Sequence, residues 1–167
     1  MMLKPRKMQY DKAGPKVAEA LNKRYFEAYY CPDRDTAVQK VLELISADDT
    51  VSWGGTLTVD ELGIKDLLRA RGQRLIDRDS AQSNEERVEL MRQGLLADTF
   101  LTSSNAVTAD GQLFNIDGNG NRVCTTGKNP VTGGAVSGSF SGASSEEAVR
   151  KSAEGHPLAS PDHELRT

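Results

Sequence analysis

The sequence predicts an α/β fold built on an open, mostly parallel sheet, and three observations predict it. Short runs of β-forming residues at 50–53, 74–77 and 99–103 alternate with segments whose apolar residues recur at helical spacing. That alternation is the pattern of βαβ units, in which helices carry the chain between parallel strands and cover both faces of the sheet, giving three layers. Near 105–117 the pattern changes: Asp110-Gly111 separates two runs rich in β-formers, the short-range signal of a hairpin. The later part of the sheet should therefore contain antiparallel pairing.

Size and charge agree with one globular domain. The chain has 167 residues, 37% hydrophobic and 27% charged, with a formal net charge of -3. No overall positive field exists to gather nucleic acid or an anionic membrane. The basic start, MMLKPRKMQYDKAG, is not followed by the apolar run of a secretory signal. No stretch is apolar enough for a membrane span, so the expected location is the cytoplasm. Cys31 and Cys124 are the two cysteines, and His156 and His163 the two histidines. Neither cysteine lies in a CxxC pair, so no metal site is expected, and Cys31 reads as a small buried apolar residue.

The elements follow in order. Residues 12–24 read as a helix, with Pro15 in its opening turn and Val17, Ala20 and Leu21 on one face. FEAYY at 26–30 reads as a short strand. Pro32 and Asp33 open a second helix, whose apolar positions Ala37, Val38, Val41, Leu42 and Ile45 recur at three and four. The strand TVSW at 50–53 ends at Gly54-Gly55. Thr58, with Glu61 three residues on, forms a capping box for a helix over 59–71 that Gly72 stops. RLID at 74–77 is the next strand. Ser83 and Glu86 form a second capping box for a helix over 83–96, and TFLTS at 99–103 is the strand after it. Beyond Val123 the chain turns rich in Gly, Ser and Thr, so residues 124–167 are expected to form a flexible tail, with a marginal helix near 145–153.

Three stretches could carry chemistry. Trp53-Gly54-Gly55-Thr56-Leu57-Thr58 lies where a strand feeds a helix. Two glycines let backbone approach a ligand, and a helix N-terminus beyond them favours an anion. The plainer reading is a tight turn capped by Thr58. Thr102-Ser103-Ser104-Asn105 offers hydroxyls and an amide to a polar ligand, or equally to loop backbone. In Asn115-Ile116-Asp117-Gly118-Asn119-Gly120-Asn121-Arg122, Asp117 could hold a cation or accept a proton and Arg122 could hold a carboxylate, or the two could pair with each other in a connecting loop. No Ser-His-Asp or Cys-His arrangement can be assembled from these stretches.

Together these stretches resemble the LUD-domain (lactate-utilization, LutC-like) family: TVSWGGTLTVDELGI, then LTSSNAVTADGQLFNIDGNGNRV, with KVAEALNKRYFEAYYC and VLELI upstream. The resemblance implies a fold similar to the NagB/RpiA/CoA-transferase group, a link to oxidation of L-lactate to pyruvate, and iron–sulfur oxidoreductase partners. No cofactor of the chain's own is expected. What carries over is motif membership, as ligand-binding candidates: Gly54, Gly55, Thr56 and Thr58; Ser103, Ser104 and Asn105; Asp117, Gly118, Asn119, Gly120, Asn121 and Arg122. The expected organisation is an extension over 1–10, an incomplete LUD-like domain over 11–123 and the tail from 124. After Cys124 the family's strongly apolar strand does not follow, as in a truncated or frameshifted C-terminus. The sheet would then end in an open edge that invites self-association. The expected function is to bind a small anionic metabolite at strand-end loops. The alternative is a non-catalytic subunit that docks to iron–sulfur partners.

Overall fold

A computed structural model describes residues 4–116, 118 and 120 of the chain. The expectations placed on Asp117, Asn119, Asn121, Arg122 and the tail from 124, with its helix near 145–153, lie outside the described residues. What is described falls into two compact units, one of residues 33–103 and the other of residues up to Pro32 together with 104–118.

The first unit is an α/β sandwich. Helix α2 (Arg34–Leu44) begins at Asp33, whose carboxylate accepts from the Thr36 N–H at 2.8 Å. Strand β1 (Thr50–Trp53) lies at the centre of a parallel sheet of order β2-β1-β3, with β2 at Arg74–Ile76 and β3 at Thr99–Leu101. The register sets Val51 beside Leu75 and Thr99, and Trp53 beside Leu101. Alternation along the strands then divides the faces. Val51, Trp53, Leu75 and Leu101 pack with Val38, Val41 and Leu42 of α2, and with Val59, Ile64 and Leu68. On the other face, α5 (Asn84–Gly94) brings Gly94 against Ser52 and Phe100. The three layers expected from the sequence are therefore present.

Several boundaries differ from expectation. The helix over 59–71 is two, α3 (Leu57–Glu61) and α4 (Ile64–Ala70), broken at Gly63 with φ 70°. Gly72 ends α4 in the left-handed conformation (φ 73°). Helix α5 is capped at Ser83, which accepts from the Glu86 N–H at 3.1 Å, but Glu86 returns its carboxylate to Gln82 rather than to Ser83. Between β2 and α5, Arg78–Ser80 forms a single 3-10 turn.

In the second unit, α1 (Lys4–Asn22) starts well before residue 12 and carries Pro15 inside it, not in its first turn. FEAYY is not a strand. The Asn22 side chain accepts from the Ala28 N–H and donates to the Ala28 carbonyl, both at 3.0 Å, so the backbone of Ala28 is satisfied without a ladder. The hairpin is present, with β4 (Ala106–Val107) antiparallel to β5 (Leu113–Phe114), but it forms a two-stranded sheet of its own and does not extend the parallel sheet as expected. Gly111 at its tip has φ 80°, and Arg24 at the end of α1 bonds the Asp110 carbonyl and carboxylate at 2.9 and 3.1 Å.

Candidate functional site

The three parallel strands end on one edge of the sheet, the edge at which α/β folds gather ligands. There β1 delivers Gly54-Gly55-Thr56, β2 delivers Asp77-Arg78-Asp79, and β3 delivers Thr102-Ser103. The Gly54 N–H donates to the Leu101 carbonyl at 2.9 Å, carrying the ladder one residue past β1 before the chain turns.

The glycines of this turn differ from the others. Gly63, Gly72 and Gly111 have positive φ. A Cβ on Gly14 would collide with the Tyr30 ring, and one on Gly94 would stand 2.5 Å from Ser52 Oγ. Each of these five is held to glycine by the fold itself. Gly54 and Gly55 have no positive φ, and a Cβ there would meet described atoms only at ordinary contact, with Phe100 and Thr102 Oγ1 at 3.5 Å and Arg78 Nη2 at 3.4 Å. Among the described residues the fold does not demand a glycine at either position.

Beneath Gly55 lies Arg78, 9% exposed, with Nε 3.6 Å from Asp79 Oδ1 and Nη1 3.5 Å from Met91 Sδ. Asp79 is a junction. Its Oδ2 accepts from Trp53 Nε1 at 2.8 Å and from Lys65 Nζ at 2.9 Å, while Lys65 also pairs with Asp60 at 2.7 Å and stands 5.0 Å from the Trp53 ring centre. Burial alone would push the Asp79 carboxyl up, but Lys65, Trp53 and Arg78 outweigh it and hold the group below its ordinary value. Burial likewise works against the Lys65 ammonium, and Asp60 and Asp79 overcome it, leaving the pKa raised. A lysine held charged in this way pairs with the two carboxylates as a cation.

The sequence-derived candidates divide. Gly54, Gly55, Thr56, Thr58 and Ser103 belong to the unit that carries the sheet, and Ser104, Asn105 and Gly118 to the unit that carries the hairpin. The role assigned to Thr58 passes to Thr56, whose hydroxyl accepts from the Val59 N–H at 3.4 Å. Because α3 has five residues, the dipole expected at its N-terminus contributes little. Gly120 is a left-handed turn residue with φ 73°. Asn105 meets the start of the third stretch at the open end of the hairpin, where its Oδ1 accepts from the Ile116 N–H at 2.9 Å. Reading the sequence by motif missed Arg78 and Asp79. Their one signal is positional, since Asp77-Arg78-Asp79 follows a strand that the structure places in the same parallel sheet as the glycine turn; the residues themselves read as a charge run.

Among the described residues no group of three or more His, Cys, Asp or Glu side chains could hold a metal ion, and no helix is long and apolar enough to cross a membrane. A family model described as LUD domain matches residues 14–129. No curated protein and no solved structure matches the chain. The chain belongs to the LUD domain family, which makes it a lactate-utilization-related protein.

Proposed function

We propose that this member of the LUD domain family binds a small anionic metabolite, a short carboxylate of the lactate and pyruvate kind, at the Gly54-Gly55 turn. One observation carries the reading: the turn holds two glycines that neither backbone conformation nor the described neighbours require. Glycine there keeps the strand end bare, so that a ligand can lie against the main chain. The Arg78 guanidinium under Gly55 supplies the charge that favours a carboxylate. Family membership supports a place in the oxidation of L-lactate to pyruvate.

Trp53, the chain's one tryptophan, immediately precedes the turn and reports on it. Its fluorescence should shift on titration with lactate or pyruvate, and calorimetry should show matching heat. Acyl-CoA and nucleotides serve as competing ligands in the same experiment. A folded sample that gives neither signal with any of them ends the proposal. A second reading, a subunit that docks to iron–sulfur oxidoreductases, draws on the exposed aromatic run Tyr25, Phe26 and Tyr29, at 100%, 45% and 48% exposure. Copurification with such a partner, lost on Tyr25→Ser, is its test.

A further inference from the structure

Helix α5 carries the chain from the carboxyl end of β2 back to the start of β3, so it runs against the parallel strands. Its first turn therefore lies at the edge of the sheet that holds the glycine turn. Arg87, Met91 and Gly94 recur at four and three along α5 and share one face. Gly94 lies against Ser52 of β1, and Met91 touches Arg78. From Gly94 back to Arg87 the helix rises about 10 Å, at about 1.5 Å per residue. From Ser52 on to Gly55 the extended chain advances about the same distance, at about 3.3 Å per residue. Arg87 thus stands level with Gly55. One atom joins the two positions: Asp79 Oδ1 lies 3.6 Å from Arg78 Nε and 4.0 Å from Arg87 Nη2, and Arg78 in turn reaches Gly55.

Asp79 does not depend on Arg87. Its carboxylate already faces Arg78, Lys65 and Trp53. Among the described residues the Arg87 guanidinium makes that single long ion pair, and its side chain is 47% exposed. A half-exposed pair at such a distance contributes little to stability, so breaking it costs little. We propose that Arg87 is a specificity-determining residue of the glycine-turn site, the guanidinium that leaves Asp79 to grip the ligand's carboxylate with two parallel N–H bonds. The inference rests on the carboxylate reading of that turn and deepens it. The two arginines then divide the work. Arg78 is 9% exposed and lies against Asp79 and Met91, so it supplies fixed charge from beneath Gly55. Arg87, exposed on the first turn of α5, has the reach to close on a ligand from the side. Its planar fork matches the two oxygens of a carboxylate, which an uncharged ligand lacks.

The test titrates pyruvate and L-lactate into the full chain by calorimetry, with Arg87→Gln and Arg92→Gln beside the wild type. Both substitutions remove one positive charge from α5. Arg92 is 74% exposed, pairs with Glu89 and lies off the face that carries Arg87 and Met91. Arg87→Gln should weaken binding by about tenfold or more, the loss of a charge-assisted two-pronged pair. Arg92→Gln should leave it unchanged. Urea midpoints of the three ligand-free proteins should coincide. Equal affinity in Arg87→Gln and the wild type overturns this inference and leaves the carboxylate reading standing. Equal losses in the two variants also overturn it, because the effect is then one of net charge. So does a lowered midpoint for Arg87→Gln, since the pair with Asp79 would then be part of the fold. A folded wild type that binds neither acid overturns the carboxylate reading itself, and this inference with it.

Discussion

Gly55 rests on Arg78: the position a Cβ would take is 3.4 Å from Arg78 Nη2, the far end of a flexible side chain. Ordinary contact of this kind tolerates a methyl group. Gly55→Ala should therefore fold with stability within about 0.5 kcal/mol of wild type, as substitutions without a clash usually do. Carboxylate binding should nonetheless weaken by about tenfold or more, equal to about 1.4 kcal/mol, because the methyl occupies the ligand's approach to the main chain. Paired denaturation and Trp53 titration measure the two effects. Equal affinity in the two proteins would remove the glycine turn as a binding element.

Gly94 gives the opposite outcome. A Cβ there falls 2.5 Å from Ser52 Oγ and 3.2 Å from Ser52 Cβ, in the tight layer between α5 and β1. Ser52 cannot yield freely, since its hydroxyl donates to the Ile76 carbonyl at 3.0 Å and ties β1 to β2. Gly94→Ala should cost about 1–3 kcal/mol, the usual range for overpacking. Ser52→Ala in the same chain should recover part of that loss by removing the nearest atom. Urea unfolding of the single and double variants checks this, and strictly additive effects would mean the two residues do not meet.

The parts of the fold legible in the sequence are those in which local chemistry and tertiary packing agree. TVSW is a strand by residue preference and is also the sheet's buried centre, with Val51 and Trp53 at 0% and 1% exposure. Asp110-Gly111 turns where a left-handed glycine is required. FEAYY misled because aromatic, β-forming residues there follow Tyr25, which is itself left-handed at φ 67°, and the Asn22 side chain takes the role of a partner strand. The run 59–71 misled because Gly63 sits inside a continuous leucine pattern, and only its φ reveals the break. At the candidate site, the glycine turn was legible as a motif. Arg78 was not, since a single arginine between two aspartates reads as a solvated charge run. Its burial is created by Gly55 and Met91, which arrive from other elements.

Tyr30 should titrate late. Burial and the bond from its hydroxyl to Asp11 Oδ1, at 2.7 Å, push its pKa up to about 12 from 10.0. The folded chain then holds the phenolic proton more tightly than the unfolded chain. Tyr30 thus contributes stability that is full below pH 10 and lost as pH rises from 10 towards 12. Tyr30→Phe should flatten the alkaline limb of the stability curve across that window. Absorbance titration of the tyrosines should show one fewer late-ionising group in the variant. If the variant's alkaline limb matches wild type, the Tyr30–Asp11 bond is not made in solution.

The Asp79 carboxylate governs the acid limb by the same logic with the opposite sign. Lys65, Trp53 and Arg78 hold its pKa below the ordinary 3.8, so the folded chain binds fewer protons than the unfolded chain as pH drops through that region. Its contribution is complete above pH 3.8 and is lost as pH falls through the folded-state value. The side chain is 38% exposed, so solvent screens the ion pairs and the effect is smaller than that of a fully buried pair. Asp79→Asn keeps an oxygen for Trp53 Nε1 but removes the charge facing Lys65 and Arg78. At neutral pH it should lower stability by about 1–2 kcal/mol, through two cations left with weaker partners. As pH falls through the folded-state value the gap between variant and wild type should narrow, since wild-type Asp79 is itself becoming protonated. Trp53 emission should move in the variant even without ligand, because the indole N–H then bonds a neutral amide. A gap that stays constant as pH falls until the wild type unfolds in acid would show that Asp79 acts by shape alone, and that its charge does not hold Lys65 and Arg78 in place.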